Sequence, residues 1–136
     1  MSVQKRQVSR FYEVLWNAQD MSGIDSVLHE DFTFRGSLGQ ETRGHQGFIE
    51  YVQMVHQAFG AYQCLIEDLV AEGAKVFARM TFTGIHQGKL MGHAPTMKRV
   101  RWAGCALFRF DGERIADVWV LGDLKELEAQ LTGNST

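Results

Sequence analysis

Hydrophobic and polar positions divide the chain into a helical first half and a β-rich second half. Apolar residues recur at helical spacing in two segments, which end near Asp20 and at Gly60. A capping box of Ser22 and Asp25 predicts a short helix that begins there, between the two longer helical segments. The apolar positions are Val8, Phe11, Tyr12, Leu15 and Ala18 in the first helix, Ile24, Val27 and Leu28 in the second, Phe48, Val52, Val55 and Phe59 in the third, and Leu124, Leu127 and Leu131 in a fourth.

The remaining pattern is that of strands. Residues 31–35 alternate polar with aromatic and predict a short strand, whereas the Gly-rich residues 37–47 predict a loop. Residues 62–70 and 75–87 predict two longer strands, and residues 88–95 a connection to the last part of the sheet. Because helices come first and strands come last, we expect an α+β fold with helices packed on one face of a curved antiparallel sheet.

The Asp111-Gly112 pair lies between two long runs of aromatic and β-branched residues and predicts a β-hairpin. A two-residue loop would place Asp117 on the same face as Ala106. A three-residue loop, with the glycine in the left-handed conformation, would place Val118 and Val120 there instead. Since a slip of one residue moves every side chain to the opposite face, the register decides what faces the core. The residues alone leave both registers open.

Composition narrows the classes of partner. The 136 residues are 45% hydrophobic and 22% charged, which is typical of one globular domain, with an expected ordered core of about 3–131. The net charge of −2 gives no basic surface for nucleic acid. No apolar run approaches membrane-spanning length, and the first residues lack the apolar core of a signal peptide. We therefore expect no membrane partner and a cytoplasmic location.

The cysteines and histidines do not form a recognisable metal or redox motif in the sequence. Cys64 and Cys105 match no metal or redox motif, and each is expected to be a buried free thiol. The five histidines are scattered without the paired spacing of a zinc site. We expect no metal and no organic cofactor.

Two segments resemble the SnoaL-like polyketide cyclases. Residues 84–99, G-I-H-Q-G-K-L-M-G-H-A-P-T-M-K-R, resemble that family's G-x-H-x-G-x-x-x-G-x-P-P-T segment. Residues 108–119, F-R-F-D-G-E-R-I-A-D-V-W, are similar to its R-x-x-D-G-K-I-x-E-x-W. The resemblance implies a nuclear transport factor 2-like cone of helices and curved sheet around an apolar pocket. It also implies ring closure by aldol condensation without a cofactor.

The chain departs from the family pattern at the chemical centre. The resemblance places the family's catalytic aspartate at Val120, and its supporting glutamine and histidine near Gly104 and Ala106. It favours the three-residue hairpin loop, which puts all these positions on one face. Valine transfers no proton, so the family reaction does not follow from the resemblance.

Other residues could supply acid/base chemistry, and each has a structural alternative. His86 shares the apolar face of Met80 and Phe82 by parity, so it is either a cavity imidazole or a residue that bonds the backbone of the next turn. Asp123 either caps the last helix or places a carboxylate at the cavity mouth. Asp117 is a buried acid only in the two-residue register and otherwise faces outward.

The leading hypothesis is a cofactor-independent acid/base enzyme acting on a small apolar carbonyl compound. The alternative is a protein that binds such a compound without turning it over. The outer sheet face, with Ala103, Cys105, Leu107 and Trp119, predicts a homodimer. The residues expected to wall the pocket are Tyr51, Met80, Phe82, Trp102, Gly104, Ala106, Phe108, Val118 and Val120.

Overall fold

The computed structural model describes residues 2–133 and contains an α+β fold. The α-helices are α1 Val3–Arg10, α2 Ile24–Val27, α3 Gly44–Ala58 and α4 Leu124–Leu131. The strands are β1 Leu28–Arg35, β2 Glu41–Arg43, β3 Phe59–Glu72, β4 Lys75–His86, β5 Arg99–Asp111 and β6 Arg114–Gly122. Within the described part of the chain, no helix combines the length and the apolar character needed to span a membrane.

Helix α1 continues directly into a π-helical segment, Phe11–Asn17. Its wider turn is marked by the bond from the Ala18 amide to the Glu13 carbonyl, five residues earlier. The segment buries Phe11, Tyr12, Leu15 and Trp16. The predicted first helix is therefore confirmed, although it ends at Asn17 and its second half is not α-helical.

The six strands form one sheet in the order β2-β1-β6-β5-β4-β3. Neighbouring strands are antiparallel except β1 and β6, which pair in parallel. Helix α3 packs on β1 and β3, and the π-helical segment packs on β3. The helices therefore cover the inner face of the curved sheet, as the sequence predicts, but one strand pair departs from the expected antiparallel arrangement.

A bulge in the β5–β6 hairpin determines which side chains of β6 face the core. Gly112 has a φ of 65°, and Asp111 pairs with Arg114, so the loop has two residues, Gly112 and Glu113. The pairing then shifts at Ala116, and from there Val118 lies opposite Phe108 and Val120 opposite Ala106. The predicted inward face of the two valines is confirmed, whereas the predicted three-residue loop is wrong.

Other boundaries also differ from the prediction. Helix α2 begins after Gly23 without a side-chain cap, and the Ser22 hydroxyl donates to Asp20, so the predicted capping box is wrong. The predicted loop 37–47 contains β2 and the first turn of α3. Strand β3 begins at Phe59, directly after α3, where the third helix was expected to continue.

The core is a cluster of aromatic rings between the helices and the inner sheet face. Phe11 lies 5.3 Å from Phe48 and 5.3 Å from Phe108 between ring centroids, and Phe34 lies 5.2 Å from Phe48. These rings come from the π-helical segment, α3, β1 and β5. The cluster joins these elements into one core, and Phe34 also lines the cavity beside it.

Candidate functional site

An interior cavity lies between the sheet, α3 and the π-helical segment. Its volume is about 20 Å³, close to the space that one water molecule needs. The cavity is therefore nearly filled by the side chains around it. Its wall consists of Tyr12, Trp16, Phe34, Ser37, Leu38, Tyr51, Val55, Phe59, Tyr62, Cys64, Phe82, Trp102 and Val120.

The wall is a continuous row of aromatic rings that carry polar groups. The ring of Trp16 lies 5.9 Å from Tyr51 at 87° and 5.7 Å from Tyr62. Tyr62 in turn lies 6.2 Å from Trp102. Such rings are apolar on their faces and polar at one edge, so they can enclose an apolar compound and still hydrogen-bond to it.

Four polar atoms of this wall are buried without a hydrogen-bond partner among the described residues. They are the hydroxyls of Tyr12 and Tyr51 and the indole Nε1 atoms of Trp16 and Trp102. The Tyr51 hydroxyl lies near polar groups of Ser37 and Leu38 but makes no well-formed bond to them. Buried polar atoms are normally bonded, so this group of donors needs an explanation.

The cavity wall is uncharged at neutral pH. Among the described side chains that line it, none is Asp, Glu, His, Lys or Arg. Burial raises the pKa of Tyr12, Tyr62 and the Cys64 thiol well above their ordinary values, and it raises the pKa of Tyr51 to about 12. The Tyr62 hydroxyl bonds to Cys64. The wall therefore offers protonated donors and no general base.

Two glycines allow the wall to close at one end. A Cβ atom at Gly36 would lie 2.3 Å from the Tyr51 hydroxyl. A Cβ atom at Gly122 would lie 3.0 Å from the Ser37 Cβ and 3.3 Å from the Trp102 Nε1. Any larger residue at these positions would push the aromatic donors or residue 37 away. We call the segment 36–40, from which Ser37 and Leu38 line the cavity, the mouth segment.

The structure divides the predicted pocket residues into two groups. Tyr51, Phe82, Trp102 and Val120 line the cavity. The other predicted wall residues are buried or half-buried in the packed core and do not line it. They are Met80, Gly104, Ala106, Phe108 and Val118.

Gly104, near which the resemblance places one of the family's supporting polar residues, has no room for a longer side chain. A Cβ atom at this glycine would lie 2.5 Å from the Phe82 ring and 2.8 Å from the Leu121 carbonyl oxygen. Phe82 therefore covers the space that a longer side chain at this position would occupy. The ring and the glycine fit together, so the position contributes packing instead of a polar group.

His86 has the structural role and does not line the cavity. The ring is fully buried, and its Nδ1 accepts the Thr96 amide hydrogen at 3.1 Å. Because an amide only donates, the neutral ring carries its proton on Nε2, which has no partner among the described residues. Burial lowers the pKa of His86 below its ordinary value, although the Gly88 backbone opposes the shift. His86 is therefore not among the residues that line the cavity, and its role in acid/base chemistry stays a prediction.

The two candidate aspartates also point away from the cavity. Asp123 accepts the Glu126 amide hydrogen at 3.0 Å and caps α4, which is the structural alternative predicted for it. Asp117 lies on the outer face, where it accepts a hydrogen bond from the Thr33 hydroxyl. Across residues 2–133, no group of three His, Cys, Asp or Glu side chains comes together as a metal site would require.

Several wall residues escaped the sequence-based prediction. Tyr12 and Trp16 come from the first helix, and Tyr62 and Cys64 come from the edge strand β3. The available signal was the presence of aromatic residues with a polar edge at positions expected to be buried. That signal predicts which side chains are buried, but it does not predict which of their hydroxyl and indole groups line the same cavity.

Solved structures with the same fold include several bacterial proteins. AclR, a candidate hydroxylase from Streptomyces galilaeus, is 26% identical with a TM-score of 0.78 over 98% of this chain and 86% of that one. A candidate polyketide cyclase from Acidithiobacillus ferrooxidans is 24% identical with a TM-score of 0.84, over 98% and 97%. TsrD from Streptomyces laurentii is 23% identical with a TM-score of 0.82, over 98% and 96%.

No match was found among curated protein sequences. The model of the SnoaL-like polyketide cyclases, by contrast, matches residues 6–131. The match includes every strand of the sheet, the segment at the cavity mouth and both motifs noted in the sequence. The chain therefore belongs to the SnoaL-like polyketide cyclase family.

Proposed function

We propose that this protein binds a small, largely apolar carbonyl compound in the interior cavity and lacks the acid/base route of its family. The observation that carries the proposal is the uncharged wall, which offers donors but no carboxylate or imidazole. Removal of a proton from carbon needs a base within about 2.6–3.2 Å of it. Val120 occupies the position that the resemblance assigns to the family's aspartate, and it lines the cavity.

The ligand reaches this site by displacing the mouth segment. The cavity of about 20 Å³ holds no organic compound as it stands, whereas ligand sites typically span about 300–1,000 Å³. Ser37 and Leu38 line the cavity from the short connection between β1 and β2. That connection is held by backbone bonds from Gly36 to Gln40 and from Gly39 to Gly36. Few bonds must break for it to move outward.

An enzyme acting on the same class of compound is the second candidate. Membership of a cyclase family and the four donors on the wall favour it, since such donors can polarise a carbonyl group. In that case the base must come from outside the present wall. His86 and Asp123 are the residues proposed for it from the sequence, and each would have to leave a hydrogen bond that it makes in the structure.

The decisive experiment measures binding and turnover of one compound by one protein. An anthracycline-type cyclization substrate is incubated with the wild type and with Val120→Asp, and product is followed by chromatography. Binding by the wild type without product formation supports the proposal. Turnover by the wild type at a rate well above the uncatalysed one contradicts it and favours the enzyme. Failure to bind at all would show that the cavity serves another class of ligand.

We also propose that two copies of the chain associate through the outer face of the sheet. Phe77, Leu107 and Trp119 are 43%, 40% and 41% exposed and form one cross-strand row. Arg35 stacks over the Trp119 ring at 5.5 Å and continues the row onto β1. An apolar row of this kind on a sheet face is typical of a protein interface.

A further inference from the structure

Charged residues are distributed unevenly along the chain. Residues 73–110 contain seven of the 14 Lys and Arg residues and none of the 16 Asp and Glu residues. This basic segment spans β4, the connection after it and all but the last residue of β5. Such an asymmetry gives a positive surface only where the cations are exposed and lack acidic neighbours.

Three of the seven cations face acidic residues across the sheet. Arg79 forms an ion pair with Asp68 at 2.7 Å. Lys75 lies opposite Glu72 in the β3–β4 register, and Arg109 lies opposite an aspartate of β6. Opposite charges at facing positions of a sheet attract each other, so these three cations add little to a free positive surface.

The remaining four cations make no ion pair with any residue that the structure describes. All four are exposed, and they are Lys89, Lys98, Arg99 and Arg101. Lys98 Nζ donates to the carbonyl oxygen of Gln130 at 3.3 Å, which leaves its charge unneutralised. Glu128 of α4 approaches the same region, but its carboxylate lies 3.9 Å from His93. A positive surface therefore remains where β4 ends and β5 begins.

The connection between β4 and β5, residues 87–98, is held in place by backbone hydrogen bonds. The amides of Gln87 and Gly88 donate to the carbonyl oxygen of Ala58 at 2.9 and 3.0 Å. The Met97 amide donates to the carbonyl oxygen of His86 at 2.8 Å. The connection is thus tied both to the end of α3 and to the end of β4. A surface ordered in advance loses little conformational entropy when a partner binds.

Two methionines are exposed on this connection. Met97 is 64% exposed and Met91 is 39% exposed. Met91 and Gly92 form a tight turn between Leu90 and His93, which exchange backbone hydrogen bonds of 3.0 and 2.8 Å. Both methionines have positive φ, 50° at Met91 and 59° at Met97, which residues with a side chain rarely adopt. The fold thus presents two flexible apolar side chains beside the four cations.

We propose that an acidic segment of another protein docks on this surface. Carboxylates of the partner would pair with the cations, and its apolar side chains would cover the methionines. Methionine and arginine are both enriched at protein interfaces. The proposal goes beyond ligand binding in the cavity and does not depend on it. We call the docking residues the basic surface, and they are Lys89, Met91, Met97, Lys98, Arg99 and Arg101.

A lipid bilayer fits the basic surface less well than an acidic protein segment does. Loops and helices that enter a bilayer present Trp, Phe or Leu, and no such residue is exposed within residues 87–99. All 16 acidic residues lie outside the basic segment, so a wide anionic membrane would also repel the rest of the molecule. A protein segment contacts the basic surface alone, and salt screens the more distant charges.

The basic surface lies at the same end of the sheet as the mouth segment. Strands β1 and β6 are parallel and both end there, whereas the antiparallel β5 begins there. Ser37 lies close to Gly122, the last residue of β6. A partner docked on the basic surface is therefore placed at the end of the molecule where the cavity is closed by the mouth segment.

The test uses a fluorescein-labelled peptide of about 16 residues, with Asp and Glu on one helical face and Leu and Val on the other. Fluorescence anisotropy with the full chain should give a dissociation constant below about 100 μM in about 50 mM NaCl. Raising NaCl to about 300 mM should weaken binding about 10-fold, because salt screens the charge pairs. The control peptide has Asn and Gln in place of the acids and should bind at least about 10-fold more weakly.

Two charge-reversal variants locate the binding site. The double variant Lys89→Glu with Arg99→Glu should weaken peptide binding more than about 10-fold, because like charges then face each other. The double variant Lys75→Glu with Arg109→Glu changes the net charge equally at the other end of the same strands. Its affinity should stay within about 2-fold of the wild type. Thermal unfolding verifies that both variants are folded.

Substitution of the methionines separates the apolar contribution from the charges. Met91→Ser with Met97→Ser should weaken binding about 3-fold to 10-fold and leave its salt dependence unchanged. Equal losses in the two charge-reversal variants would contradict the assignment of the surface, and so would a wild type that binds neither peptide. Vesicles of phosphatidylcholine and phosphatidylserine provide the last arm. Sedimentation of the wild type with these vesicles, lost in the Lys89→Glu, Arg99→Glu variant, would assign the surface to a membrane and overturn the proposal.

Discussion

The two faces of strands β4, β5 and β6 are built from alternate residues of the same chain, yet they differ in almost every property. The inner face contributes Phe82, Trp102 and Val120 to a closed, uncharged cavity. The outer face carries exposed apolar side chains together with ion pairs, such as Arg79 with Asp68 at 2.7 Å. The inner face is therefore buried and uncharged at the cavity, whereas the outer face keeps apolar and charged side chains in contact with solvent.

The comparison teaches that burial, more than residue type, decides what a side chain does here. Trp102 and Trp119 lie on neighbouring strands, but Trp102 is buried with an unpartnered indole and Trp119 is exposed beneath Arg35. Asp117 and Val118 are adjacent in sequence, and only the valine reaches the core. A change of charge on the inner face should therefore cost far more than the same change on the outer face.

The largest expected effect is that of a carboxylate on the inner face. Val120→Asp should lower the free energy of unfolding by about 3 kcal/mol near pH 8, because a charge is buried without a partner. Lowering the pH should reduce the loss, since the carboxyl group becomes neutral. Urea unfolding at pH 8 and pH 5 measures both effects. Val70→Asp, at a position 62% exposed on β3, is the control and should stay within about 0.5 kcal/mol of the wild type.

A charge in the middle of the outer row should separate the two copies. We expect the wild type to be a dimer at micromolar concentration by light scattering, and Leu107→Glu to weaken association roughly 100-fold because each interface gains two buried charges. Met97→Glu, at an exposed position between β4 and β5, should leave the dimer intact. A monomeric wild type would contradict the proposed interface.

His86 should make stability depend on pH in one direction. Burial lowers its pKa in the folded state, so below about pH 6.5 the unfolded chain binds the proton more readily and stability falls as the pH drops. Above that pH the histidine adds no slope. Urea unfolding of the wild type and of His86→Gln between pH 5 and 8 isolates this contribution from the other histidines. Parallel curves for the two proteins would show that the ring titrates as an exposed group.

The smallest effect is expected at Asp117. Asp117→Asn keeps an oxygen that accepts the Thr33 hydroxyl, so the free energy of unfolding should change by less than about 1 kcal/mol. Ligand affinity should not change, because the side chain faces away from the cavity. Thermal unfolding checks the first expectation, and the binding measurement proposed for the wild type checks the second. A strong loss of binding would mean that this residue reaches the inner face after all.

The sequence predicts the elements better than the details that form the site. Helical spacing and the Asp111-Gly112 pair correctly indicate helices, long strands and a hairpin, because these signals are local. The face of Val118 and Val120 was also predicted, although the structure reaches it through a bulge at Ala116. A longer loop and a bulge each shift the strand pairing by one residue. The pattern of apolar residues therefore predicts the final pairing, but it does not say whether the loop or the bulge produces it.

The cavity wall was predictable only in part because it depends on contacts between distant segments. Phe82 and Trp102 follow from parity and Tyr51 from its place beside the helical stripe, whereas Val120 follows from the family resemblance, which favoured one of two open registers. The unpartnered state of the Trp16 indole depends on which groups fail to meet it, and no local pattern encodes that. His86 illustrates the converse, since its parity predicts burial correctly while its partner, Thr96, lies ten residues further along the chain.

The π-helical segment has a consequence for how this protein tolerates changes in length. An i→i+5 turn contains one residue more than an α-helical turn of the same length. Phe11–Asn17 therefore holds one more residue than a regular α-helix would need to span the same distance. Removing one residue there would let the helix relax to regular α geometry while the ends of the element keep their anchors. The side chains within Phe11–Asn17, which include Tyr12 and Trp16 of the cavity wall, would then be redistributed around the helix axis, whereas those beyond the segment would keep their directions. The number of residues in this turn is thus itself a determinant of the site, as much as their identity.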